Sequence, residues 1–202
     1  MSGNPEQFET ARELFLTGLD ALDKQDFKRA AKLFTQSLDL LPDRISTLLN
    51  LSVAKSKSGE LEEAEQVIKR ALAIAPDDAS VLNQYAIVLL ALSKPDLALV
   101  AIEKCLQHDP SSADAYDTRA QALVALDKPE DACASFKQAR KIDPNLLEAY
   151  MAEGSLLLDL KRYEDARDTF EALTQQQDAP LAAWLGLAFS YDAQNKIEEA
   201  SA

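Results

Sequence analysis

The sequence predicts an all-α solenoid of tandem helix-turn-helix repeats, and three observations carry that prediction. Ala30, Ala64, Ala98, Ala132, Ala166 and Ala200 recur every 34 residues without slippage. Pro42, Pro76, Pro110 and Pro144 keep the same interval. Within each interval bulky and small residues alternate at helical spacing. A fixed period of this length means stacked supersecondary units, each burying its apolar face against its neighbours.

The repeats run 11–44, 45–78, 79–112, 113–146 and 147–180, with a partial sixth at 181–202 and a short extension at 1–10 before them. The first helix of each repeat has a large residue at position 4: Leu14, Leu48, Leu82, Tyr116, Tyr150 and Trp184. Position 8 is small throughout: Gly18, Ser52, Ala86, Ala120, Gly154 and Ala188. Positions 4, 8 and 11 share one helical face. A short polar turn follows at positions 15 and 16: Gln25-Asp26, Gly59-Glu60, Ser93-Lys94, Asp127-Lys128, Lys161-Arg162 and Asn195-Lys196. The second helix then begins, with Pro95 and Pro129 at starts where a missing N–H costs nothing. Its inner face carries alanine at position 20, then Phe34, Ile68, Ile102, Phe136 and Phe170 at 24, and Ser37, Ala71, Cys105, Ala139 and Leu173 at 27. Small residues at 8 and 20 let two helix axes approach, as ridges into grooves require. The proline at position 32 ends the second helix. Eleven helices are therefore expected between about Glu6 and Asn195, with a twelfth beginning near Glu198.

This combination resembles the tetratricopeptide repeat, whose signature joins bulky 4, small 8, alanine 20, aromatic 24, small 27 and proline 32. The resemblance covers residues 11–202 and implies a right-handed superhelix. Three sites depart from the pattern: Lys55 at position 11, Glu153 at position 7, and Asp178 in place of the position-32 proline.

Composition narrows the function. The chain has 202 residues and a net charge of −13. The first repeat balances its charges, and the fifth is strongly acidic. Such a balance repels phosphate backbones and argues against nucleic acid as a partner. No apolar run approaches a membrane span, and the segment Met1-Ser2-Gly3-Asn4-Pro5-Glu6 lacks the features of a secretory signal, so a cytoplasmic location is expected. Cys105 and Cys133 do not make a disulfide framework, and Cys105 reads as a buried, inert thiol. His108 stands alone before Pro110, without the converging ligands a metal needs. No phosphate loop, paired-cysteine motif or nucleophile elbow occurs. The expectation is a protein without catalytic residues, metal or cofactor.

In the family the first helices line the concave face, chiefly through positions 2, 5, 9 and 12 with 6 and 13 beside them. The resemblance thus implies a groove of Arg12, Phe15 and Leu19, then Leu49, Asn50 and Val53, then Asn83, Gln84, Ile87 and Leu90, and then the more polar Asp117 and Gln121. The family's carboxylate clamp is not matched: only Asn50 fits, while Phe15, Leu19, Ser80 and Gln84 occupy its other positions. What remains is an apolar groove with amides beside it, suited to an amphipathic helix or extended peptide. The bland alternative is that residues before Ala11 fold over Phe15 and Leu19, or that these pack between helices.

Two functional readings follow. One is a non-catalytic scaffold binding a protein or peptide in the groove. The other is the N-terminal repeat region of a larger enzyme, such as a methyltransferase, glycosyltransferase or sulfotransferase. The run from Leu181 to Tyr191 is apolar nearly all round. It predicts that the last repeat continues beyond Ala202 or self-associates.

Overall fold

The computed structural model describes residues 5–201, and side chains as far as residue 195. Among them every regular element is a helix. Residues 1–110 form one compact unit and residues 111–202 a second. The first holds α1 (Pro5–Asp23), α2 (Phe27–Leu40), α3 (Ile45–Lys57), α4 (Leu61–Ile74), α5 (Ala79–Ala91) and α6 (Pro95–His108). The second holds α7 (Ala113–Ala125), α8 (Pro129–Ile142), α9 (Leu147–Asp159), α10 (Tyr163–Thr174) and α11 (Leu181–Ser201).

The turn inside each repeat is made one way five times. Position 15 takes a left-handed backbone in Gln25 (φ 57°), Gly59 (86°), Ser93 (57°), Asp127 (56°) and Lys161 (58°). The next residue's N–H then reaches back to a carbonyl five residues earlier: Asp26 to Ala21 and Glu60 to Lys55 at 2.9 Å, Arg162 to Leu157 at 2.8 Å. This closure satisfies the helix's last carbonyls and reverses the chain. Second helices start directly after it, α6 and α8 with proline in their first turn. Asp26, Asp78 and Ser112 cap α2, α5 and α7 by accepting from the N–H three residues on.

The repeat's fixed positions make the core. Ala30, Ala64, Ala98, Ala132 and Ala166 are fully buried, as are Phe34, Ile68 and Ile102. Position 8 must be small because the ring at position 24 lies on it. A Cβ on Gly18 would stand 2.6 Å from Phe34. Phe170 meets two glycines: a Cβ on Gly154 would stand 2.5 Å from its ring, and one on Gly186 2.6 Å. Position 27 closes the repeat on itself. The Ser37 hydroxyl donates to the Ala11 carbonyl at 2.8 Å, and the Cys105 thiol to that of Ala79 at 3.2 Å.

The irregular positions are accommodated individually. Lys55 lays its stem on the core and donates its ammonium to Glu60 and to Glu63, the latter at 2.7 Å. Glu153 is buried beside Arg140, with 2.6 Å between Glu153 Oε2 and Arg140 Nε. Where Asp178 replaces proline, α10 has 12 residues against 14 for α2, α4, α6 and α8.

Two expectations are corrected. No twelfth helix begins near Glu198: α11 is one helix of 21 residues that runs straight through Asn195-Lys196. A turn there would give up ladder hydrogen bonds that the continuing helix keeps, and extending a helix is favoured over nucleating a new one. Residues 5–10 do not fold back over Phe15 and Leu19, because they continue α1 toward its N-terminus.

Candidate functional site

In the first unit α1, α3 and α5 lie side by side, since consecutive first helices touch. Position 5 of these three helices holds Phe15, Leu49 and Asn83. Phe15 and Leu19 are half-buried and pack on the core, with the Phe15 ring 5.7 Å from that of Phe34. Leu49 does the same on α3. The open apolar surface is therefore carried farther along, by Val53 and Leu90, which are half-buried, and by Ile87, which is 39% exposed. Arg12 is exposed and pairs with Glu9 at 3.5 Å.

The amides of this surface differ in what they have left to offer. Asn50 donates its amide to the Ser46 carbonyl of its own helix at 2.8 Å. The Asn83 side-chain oxygen is buried and accepts no hydrogen bond among the described residues. A buried acceptor without a donor costs free energy until something supplies one. Gln84 is half-buried beside it.

In the second unit Gln121 is exposed on α7 and donates to Asp117 Oδ2 at 2.7 Å, while Asp117 Oδ1 is buried with no hydrogen-bond partner among the described residues. Burial pushes the Asp117 carboxyl above its usual range, with the Gln121 amide opposing and Asp114 and Glu148 adding to the rise. Next to Gln121 a hollow of about 260 Å³ opens among Val124, Phe136, Ala152, Ser155, Leu156 and Asp159. Its walls are largely apolar. Of these residues, Val124, Ala152, Leu156 and Asp159 escaped the sequence reading. A signal was present at position 6, where Asn50, Gln84 and Thr118 give way to Ala152 and leave room above Phe136.

The remaining chemistry is sparse. Among the described residues no three His, Cys, Asp or Glu side chains converge as metal ligands. Both cysteines are free and buried, and burial pushes the Cys105 thiol up to about 11. No described helix is long and apolar enough to cross a membrane.

Paired antiparallel helices with a small-against-aromatic core define a helical repeat protein. The tetratricopeptide-repeat family models match residues 21–86, and residues 118–180 and 151–201, so the chain belongs to that family. The fold is similar to that of a thermophilic tetratricopeptide-repeat protein from Thermus thermophilus. That likeness has a TM-score of 0.79 at 20% identity over 90% of this chain and 98% of the other. PilF of Pseudomonas aeruginosa gives 0.77 at 19% identity, over 94% and 88% of the two chains. MamA from Desulfovibrio magneticus gives 0.67 at 18%, over 84% and 97%. At these identities the likeness concerns the fold. No curated protein matches the chain.

Proposed function

We propose that this protein is a non-catalytic interaction scaffold that holds a peptide or helix of a partner protein on the face formed by its first helices. The observation that carries the reading is the surface of the first unit. Half-open apolar residues Val53, Ile87 and Leu90 share the touching helices α3 and α5 with Asn83, whose buried amide oxygen Oδ1 lacks a donor among the described residues. An extended peptide supplies both an apolar side chain and a backbone N–H, and so answers both features. Phe15, Leu19 and Leu49 form the floor of this surface, and Asn50 and Gln84 its edge. Asp117, Gln121 and the hollow beside them offer a second apolar seat of the same kind in the other unit.

No cluster of Lys or Arg accompanies these positions, so the partner is held by apolar contact and backbone hydrogen bonds. Affinity is then expected to depend weakly on salt. An acidic C-terminal peptide is expected to bind poorly on this face. The test is to recover the partner by pull-down and measure its affinity calorimetrically for the wild type and for Ile87→Glu. A loss in the variant supports the reading, and equal affinities move the partner off this face.

A further inference from the structure

A second cleft has a different chemistry. It lies in the second unit among α8, α9 and α10 and has a volume of about 390 Å³. We propose that this cleft binds a carboxylate group, received by Arg140 and Lys137.

The cleft exists because two apolar positions have become charged. In the first unit, position 28 and position 7 of the following repeat are filled by Leu38 with Leu51, and by Leu72 with Tyr85, all packed in or on the apolar core. In the second unit the same two positions hold Arg140 and Glu153. Exchanging a packed apolar pair for a buried ion pair generally lowers stability, since both charges lose water. A costly pair placed in the wall of a cleft is what a binding site requires and a stable core does not.

The geometry fixes Glu153 as one partner of Arg140. Glu153 is 5% exposed and holds Arg140 Nε at 2.6 Å. Neither that nitrogen nor Glu153 Oε2 completes a hydrogen bond among the described residues. The Arg140 guanidinium lies over the Tyr150 ring, 4.5 Å from its centre. Arg140 is thus held between Glu153 and the Tyr150 ring, and it lines the cleft. Lys137, one turn earlier on α8, lines the same cleft and has no ion-pair partner among the described residues.

The acids around them are mostly committed. Asp165 is held by Arg162 at 2.6 Å and Asp168 by Arg167 at 2.7 Å, which leaves Glu130 at the rim. A flat guanidinium matches a carboxylate in two-pronged fashion, and an ammonium beside it completes the charge. A doubly charged phosphate would meet the four lining carboxylates at close range, so a singly charged group is preferred.

The experiment uses the whole chain labelled with nitrogen-15 and titrated at constant ionic strength. The probes are acetate, glutarate, a short acidic peptide and butylammonium. The expected result is saturable shifts of the α8 and α10 amides with the carboxylates and none with butylammonium. Arg140→Leu/Glu153→Leu, which restores the kind of apolar pair found in the first unit, is expected to weaken binding about tenfold or more without lowering the melting temperature. Lys137→Met, on the surface, is expected to weaken it severalfold. Tighter saturation by the peptide than by glutarate would assign the carboxylate to a protein partner, and equal saturation to a small acid. The proposal is overturned if no carboxylate saturates, if butylammonium binds in their place, or if both variants bind as the wild type does.

Discussion

Glycine at position 8 is set by the ring that lies on it, and the structure gives that contact a size. Phe170 sits between Gly154 and Gly186, each too close to admit a Cβ without displacing the ring. Gly154→Ala is expected to cost about 1–3 kcal/mol by overpacking. Phe170→Leu in the same chain should recover part of that loss, because the smaller side chain vacates the space. Urea denaturation of the two variants checks this, and equal midpoints for wild type and Gly154→Ala would contradict it. Ala98, fully buried at position 20, carries the same expectation for Ala98→Leu. Asp117 makes a prediction in pH. Burial raises its pKa in the folded state. Its ionised form therefore destabilises the fold, and the protein loses stability as pH rises through that raised value. Asp117→Asn is expected to match the wild type under acid conditions, below the unfolded pKa of aspartate, and to exceed it at neutral pH. Denaturation midpoints across that range measure the difference. A variant that is weaker at neutral pH would contradict the assigned burial cost.

The helices were legible in the sequence, and what was missed follows a clear physical line. Periodic apolar positions specify a helix and its buried face, so α2 to α10 begin and end where alanine, aromatic and proline positions placed them. Caps at Asp78 and Ser112 were not read, because the 34-residue pattern does not constrain them. The final turn failed for a different reason. Asn195-Lys196 has turn chemistry, but a turn is held by the helix that packs back after it, and α11 continues instead. The consequence is an exposed surface: Trp184 is 53% exposed and Tyr191 46%, while the corresponding Leu48 and Leu89 are fully buried. Trp184 fluorescence is expected to be readily quenched by acrylamide, and sedimentation to show association that grows with concentration. A strict monomer with a protected Trp184 would contradict this. At the repeated turns, left-handed backbone at non-glycine residues costs about 1 kcal/mol or more each. Ser93→Gly and Lys161→Gly are expected to recover much of that cost, and thermal unfolding would detect it.

For the whole molecule, the first-helix residues of each unit differ in how far they are buried, which the sequence pattern does not set. The resemblance implied one surface for Phe15, Leu49 and Ile87. It could not tell that Phe15 and Leu49 are floor and Ile87 is open, because burial depends on how neighbouring helices lean. Nor could it see the hollow beside Gln121, which arises from one small residue, Ala152, above Phe136. The Arg140–Glu153 cleft was equally hidden, since Glu153 read only as a lapse in the pattern and position 28, where Arg140 stands, is not one of the signature positions. The central claim is that the first-helix face holds the partner. The most direct test compares the calorimetric affinity of the recovered partner for the wild type and for Ile87→Glu, with thermal unfolding of both proteins alongside. The variant is expected to bind about tenfold more weakly or worse, since a desolvated carboxylate would oppose an apolar anchor, with its melting temperature nearly unchanged. Equal affinities for the two proteins would contradict it.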